Sequence, residues 1–456
     1  MRSHRLDRWG VPVDSAGDEA VGLLDEAVAD LVAFGSSAMT LVGRALDADP
    51  ELVLGHCLTA YLHMFAYTRD GVGRARRCVD RARELVEHGR GGAREAAHLR
   101  AAQCWSAGDI TGATRVWERH LASTPTDLLA TRITQDAYYF LGDARNLRDS
   151  PARVLRAWSD ELPMASFVRS MYAFGLEECG DYPAAETVAR AGVAAAPADV
   201  WGHHCVAHVL EMQGRTGEGD AYMRASCPHW EHSGFPKHMW WHWGLFHLER
   251  GDLDAAVRVY DEGLHFDSTS AVLELVDAAG LLWRLYLYGV DLGDRPEALA
   301  DAFEPHAEDA VYAFNDIHTV MGLAMAGRDD AARRVISAMA KHSEGDNRRM
   351  CDASGVTAAT GLLAFARGDY PDALDALNES RYTAVVFGGS NAQRDVLHLS
   401  TIAAAAGAGD RGMIDAMRAE RVALKPPAAA AIDRLVDANG PIRTSARSAP
   451  GSASSM

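Results

Sequence analysis

Lysine is almost missing from this chain. Lys237, Lys341 and Lys425 are the only three among 45 basic residues in a length of 456, and genome composition explains that skew without any appeal to function. Acidic residues number 63 and leave a net charge of −18. Such a charge repels phosphates, so no nucleic-acid partner is expected. No apolar run approaches the roughly 20 residues of a membrane span, which predicts no membrane partner. The stretch Met1 to Gly10 is polar and lacks the apolar centre of a secretory signal. Seven cysteines show no CxxC pair and read as reduced side chains of a cytoplasmic protein. Cys104, Cys179, Cys205, Cys227 and Cys351 have no consistent partner histidine and no oxyanion-hole motif, so no nucleophile is assigned. Strand signals are nearly absent too; Tyr382 to Phe387 is the only short β-like run.

A hydrophobic content of 48% with 24% charged residues is that of a folded protein and excludes wholesale disorder. The length suits two or three ordinary domains or one repeat array, and a period decides for the array. Glycines at short polar turns recur at Gly71, Gly108, Gly142, Gly180, Gly214, Gly251, Gly289, Gly327 and Gly368. Their spacings are 37, 34, 38, 34, 37, 38, 38 and 41 residues, at or just above the 34-residue period of the tetratricopeptide helix pair. Five residues after the glycine, where the second helix packs closest on the first, stand Ala113, Ala185, Ala256, Ala332 and Ala373. Nine residues after it come Trp117, Tyr260, Ile336 and Leu377. Pro125 and Pro197 close two units where a helix cannot continue. The expected fold is an all-α superhelical array of antiparallel pairs, a tetratricopeptide-like solenoid over residues 17–438. Residues 1–16 are read as an irregular N-terminal arm and 439–456 as a disordered Ser/Ala/Pro-rich tail.

Helical spacing then groups polar residues on the concave face. His204, His208 and Glu211 follow i, i+4, i+7 on one side of a helix, and His238 and His242 repeat the first step in the next unit. Asp136 takes the place of His208 in an earlier unit. Asn315 and His318 lie one turn apart later in the chain with Asp316 alongside, and Asp277 and Arg284 lie two turns apart between them. A superhelix brings equivalent positions together. Imidazoles with carboxylates suit zinc or iron, with His204, His208, Glu211, His238, His242 and His318 as candidate ligands. The same groups suit acid–base chemistry, with His204, His208, His242, Asp136, Asp316 and Arg394 as candidates; a purely structural network is the third possibility. Trp240 and Trp243 occupy packing positions, which leaves Trp241 to face the groove. Ser390 and Gln393 are spaced as a capping box, and a helix start with Arg394 nearby attracts anions.

Several stretches go beyond repeat consensus. They are Asp136 to Gly142 (DAYYFLG), His204 to Met212 (HCVAHVLEM), Trp240 to Trp243 (WWHW), Phe314 to His318 (FNDIH) and Gly388 to Asp395 (GGSNAQRD). In these motifs, and in their order, the chain resembles the tetratricopeptide repeat protein 38 family, from about Gly55-His56 to Leu424-Lys425-Pro426. His203, His247 and the tail depart from the pattern, and no function is carried onto them. The resemblance implies the solenoid fold and a shared site; Trp241, Asn315, Asn391 and Asp395 from its motifs, with Asp277 and Arg284 from the helical spacing, are the ligand-binding candidates. Two functions fit. One is a protein that binds or converts a small molecule in a His/Asp/Glu/Arg pocket; the other is a scaffold that holds a peptide or partner protein in the groove.

Overall fold

The computed structural model describes residues 3–267 and 270–440; most of the segment read as a tail, 441–456, lies outside them. The array is built of antiparallel pairs. They are α1 (Asp18–Val32) with α2 (Ala38–Ala48), α3 (Val53–Met64) with α4 (Arg69–Glu87), α5 (Ala93–Ser106) with α6 (Ile110–Ser123), and α7 (Leu128–Phe140) with α8 (Ala144–Val154). The middle holds α9 (Ala165–Glu178) with α10 (Tyr182–Ala195), α11 (Val200–Met212) with α12 (Thr216–Trp230), and α13 (Pro236–Arg250) with α14 (Leu253–Gly263). After them come α15 (Val272–Leu287) with α16 (Arg295–Phe303) and α17 (Ala313–Met325) with α18 (Asp329–His342). Next, α19 (Gly345–Met350) runs through a π-helical turn into α20 (Val356–Ala366), which pairs with α21 (Tyr370–Arg381). The array ends with α22 (Asn391–Ala408), α23 (Arg411–Leu424) and α24 (Ala429–Asn439). No described helix is long and apolar enough to cross a membrane.

The turn chemistry explains the period. Gly108, Gly142, Gly180, Gly214, Gly251, Gly289, Gly327 and Gly368 all have φ between 66° and 87°, a region closed to most L-residues and open to glycine. The aspartate that follows caps the next helix: Asp109, Asp143, Asp181 and Asp252 each accept a backbone N–H of the first turn, satisfying a donor the helix itself leaves free. The five alanines after the glycines are all 0% exposed, so the paired helices approach as closely as a methyl group allows.

Four expectations change. Gly71 is no turn glycine: it lies inside α4, where its N–H bonds the capping Thr68 side chain. The turn before α4 carries Tyr67 at φ 50°, and the turn before α2 carries Phe34 at φ 54°. The N-terminal arm is not irregular but a hairpin, Ser3–Leu6 paired antiparallel with Pro12–Ser15. Val11 and Val13 alternate into the core, and Asp7 reaches Arg94 at 2.8 Å. The β-like run at Tyr382 instead forms a 3-10 turn, Ala384–Phe387; only Ala384 and Phe387 pack into the core, while Tyr382 and Val385 face outward. At the far end α24 continues to Asn439, which donates to the carbonyl of Leu287 at 2.8 Å.

The superhelix curls onto itself. Asp346 donates its N–H to the Gly108 carbonyl at 2.9 Å and accepts that of Thr111 at 2.7 Å. A Cβ on Gly142 would fall 1.7 Å from the Val385 carbonyl oxygen, and on Gly214 2.8 Å from the Pro427 ring. The Trp283 indole donates to Ser400 at 2.9 Å across 117 residues. An array that only touched its sequence neighbours would have none of these contacts. They turn the concave face into an interior.

Candidate metal centre

Helices α11 and α13 are the first members of adjacent pairs, and their inward faces meet. His204 and His208 come from α11, His238 and His242 from α13. All four are buried, with ring centroids 4.4 Å apart for His204–His208 and 4.5 Å for His208–His242. One ring nitrogen from each lies within 4.8 Å of the other three. The Nε2 atoms of His204 and His238 are 3.1 Å apart, close to the roughly 3.3 Å edge of a tetrahedron with zinc–nitrogen bonds of about 2.0–2.1 Å.

Carboxylates stand behind the imidazoles. His238 Nδ1 donates to Asp277 at 2.8 Å and His242 Nδ1 to Glu211 at 3.0 Å. With Nδ1 as donor, the Nε2 of each ring is left as an acceptor; that of His242 meets no donor, and that of His238 faces His204 Nε2. His208 Nδ1 lies 3.3 Å from Glu177 Oε2, but neither atom has an aligned hydrogen bond. Among the described residues, His204 Nδ1, His208 Nε2 and His242 Nε2 are buried with no partner. Burial pushes His204 and His242 well below the ordinary imidazole range and His208 to about 4, against the opposing pull of Glu178 and Glu211. Those three rings are therefore neutral at pH 7. Burial acts in the other direction on the acids, raising Glu177 to about 8 and Glu178 and Glu211 to about 7.

Glu177 and Glu178 were not singled out by spacing. Glu177 holds the register place of Glu211, three residues before the turn glycine, and that repetition was the available signal. The Asn391 N–H donates to Glu178 at 2.9 Å and Arg394 lies 3.5 Å from it, so the Gly388–Asp395 stretch braces Glu178 without entering the tetrad. Asp395 is paired with Arg421.

A belt of polar groups adjoins the four rings. Trp241 stacks on His238 at 5.2 Å, and the Arg284 guanidinium lies 5.3 Å from the Trp241 ring centre. Arg284 donates to the carbonyls of Gly280 and Ala392, both at 2.8 Å. His318 bonds the Phe314 carbonyl through Nδ1 at 2.7 Å and lies behind Trp241, outside the tetrad. Asn315 is buried with both amide atoms unpartnered. Asp316 is buried, and burial with the nearby Asp309 charge holds its carboxyl well above the usual range; it is not among the groups clustered with the four histidines. Asp136 is held by Arg132 at 2.8 Å, also away from the rings. Between them lies an aromatic cover: Trp201 on His204 at 4.5 Å, Phe235 on His238 at 4.7 Å, and Phe34 on Trp201 at 5.0 Å. Arg132 caps Phe34 at 4.0 Å.

No family model matches the chain. Among solved structures, the human IFIT1 dimer with PPP-AAAA is 13% identical over 94% of this chain and 96% of that one, with a TM-score of 0.43. The APC/C hetero-tetramer Cut9-Hcn1 is 13% identical over 93% and 97%, at 0.34. Yeast Tom70 is 11% identical over 95% and 91%, at 0.33. Scores this low carry no functional argument; the helix pairs and glycine turns themselves define an all-α, tetratricopeptide-like solenoid. Its distinguishing feature is a buried cluster of four histidines.

Proposed function

We propose that this protein is a metal-binding solenoid of the tetratricopeptide repeat protein 38 family. His204, His208, His238 and His242 would hold one divalent transition ion, zinc or iron. The observation that carries the reading is the convergence of four buried imidazoles, three of which, His204, His208 and His242, hold a ring nitrogen with no partner among the described residues. Buried polar atoms in native proteins are nearly always paired, and a cation facing four lone pairs supplies what is lacking. Asp277 and Glu211 would act from behind, fixing ring tautomer and orientation. The family assignment rests on the motifs, which contribute His204, His208 and Glu211 from one stretch and Trp241 and His242 from another.

Conversion of a small molecule at the centre is the second reading, favoured by Glu177. Both its carboxyl oxygens are unpartnered beside His208, and a carboxyl raised to about 8 can exchange protons near neutrality. A peptide or partner protein bound as on a scaffold would have to lie outside the buried tetrad. Seven unpaired cysteines fit a reducing, cytoplasmic setting.

Metal analysis tests the reading directly. Chelator-stripped protein titrated with zinc or ferrous iron should take up one ion per chain and retain it through gel filtration. His208→Gln with His242→Gln keeps volume and some hydrogen bonding but removes two strong ligands. That variant should stay helical and lose the ion. Stoichiometric uptake by the variant, or none by the wild type, would refute the assignment.

A further inference from the structure

The curl of the superhelix leaves a second space, remote from the histidines. It is a cleft of about 580 Å³, within the range of about 300–1,000 Å³ typical of small-ligand sites. The α3–α4 turn and the α5–α6 turn form one wall. The loop Asp309–Val311 and the segment Lys341–Glu344 form the other.

The lining is unlike the rest of the surface. Its floor is apolar: Met64, Tyr67, Trp105 and Ile110 are all buried. Its rim carries Arg69, Arg76 and Lys341, one of the three lysines in the chain. Among the described residues none of these three has a carboxylate within 4 Å of its charged nitrogens, although most arginines here are in ion pairs. Arg69 donates to the carbonyls of Glu308 at 2.7 Å and Asp309 at 3.3 Å, and Arg76 Nε to that of Ser106 at 2.9 Å. These bonds position the guanidiniums without neutralising them. Two acids also line the cleft. Asp309 is held by His306 Nδ1 at 3.0 Å and by the Arg69 backbone N–H at 3.2 Å, and among the described residues Glu344 has no ion pair. Three cations against two carboxylates make a locally positive lining in a protein of net charge −18. Both walls also hold a non-glycine residue at positive φ, Tyr67 at 50° and Ala310 at 48°, a strained arrangement that the packing of the two walls maintains.

We propose that this cleft binds an amphipathic organic anion. Its aromatic or aliphatic body would lie on Trp105 and Met64, and its carboxylate or phosphate would reach Arg76 and Lys341. Apolar contact supplies the free energy of a small ligand, and guanidinium with ammonium selects the oxyanion. The inference does not depend on the metal centre.

The fluorescent sulfonate 8-anilinonaphthalene-1-sulfonate has the required shape, and N-phenyl-1-naphthylamine is its neutral counterpart. The full-length protein should bind the sulfonate at one saturable site and the neutral dye at least about tenfold more weakly. Arg76→Glu with Lys341→Glu should weaken the sulfonate about tenfold and leave the neutral dye and the helical spectrum unchanged. Gly73 lines the cleft, and a Cβ there would meet only the tip of Arg77 at 3.9 Å. Gly73→Trp should therefore fold and exclude both dyes. Displacement by 1-naphthyl phosphate and by 1-naphthoate tells which oxyanion is preferred. Equal affinity for the two dyes, unchanged sulfonate binding in either variant, or no saturable binding would each overturn the proposal.

Discussion

At the residue scale, the interior is costly. A buried polar atom without a partner costs about 1–3 kcal/mol, and the described interior holds several within a few ångströms of one another. His318, outside the tetrad, isolates a second cost, that of burying a charged ring. Burial, aided by the Arg284 charge, lowers it to about 4, although the Phe314 carbonyl pulls the other way. In the unfolded chain it titrates near 6.5. Its folded value is the lower one, so the neutral ring favours folding. That contribution is complete above about pH 6.5 and is lost as pH falls through 4. The shift corresponds to about 3 kcal/mol. His318→Gln should therefore flatten the decline in melting temperature between pH 6.5 and 4. Parallel melts of wild type and variant check this; identical slopes would mean that the ring is not held neutral.

At the scale of the element, glycine decides what could be read in advance. The eight turns with φ between 66° and 87° were visible because glycine alone takes that conformation cheaply, and the aspartate after it capped as its type allows. The turns at Phe34 and Tyr67 have the same geometry without the glycine, so nothing in the sequence marks them. The hairpin's only local signal is the alternation of Val11 and Val13, too short a pattern to separate a strand from an irregular arm. Helical spacing placed His204 with His208 and His238 with His242, because one face of one helix is local information. Whether the two faces meet is not, and neither is the packing of Phe34 against Trp201 from 167 residues away. Phe34 offers an element-level test. Replacing it with glycine relieves the positive φ, worth about 1 kcal/mol, but removes the ring that covers Trp201 and Phe235. Phe34→Gly should melt only slightly below wild type, yet give up the proposed ion to a chelator about tenfold faster by stopped-flow. An unchanged release rate would show that the aromatic cover does not gate the centre.

At the scale of the whole molecule, closure is what separates this solenoid from an open array, and two glycines measure it. Gly142 and Gly180 occupy the same turn position with φ of 66° and 82°. A Cβ on Gly180 meets nothing within 4 Å, whereas one on Gly142 would fall 1.7 Å from the Val385 carbonyl oxygen. Gly180→Ala therefore reports the backbone term alone, about 1–2 kcal/mol. Gly142→Ala carries the same term and must also push back the Ala384–Phe387 turn. That turn leads into the start of α22, where Asn391 bonds Glu178 and Gln393 accepts from Tyr139. Overpacking of this kind costs about 1–3 kcal/mol more. An open array of nearest-neighbour repeats would unfold alike in both variants, since neither change touches an adjacent unit more than the other. A closed one should melt lower and less cooperatively in Gly142→Ala and release the proposed ion faster, because the brace on Glu178 lies beside His208. Calorimetry and chelator kinetics on the pair decide the matter: equal melting temperatures and equal release rates would mean that the seam neither stabilises the fold nor encloses the site.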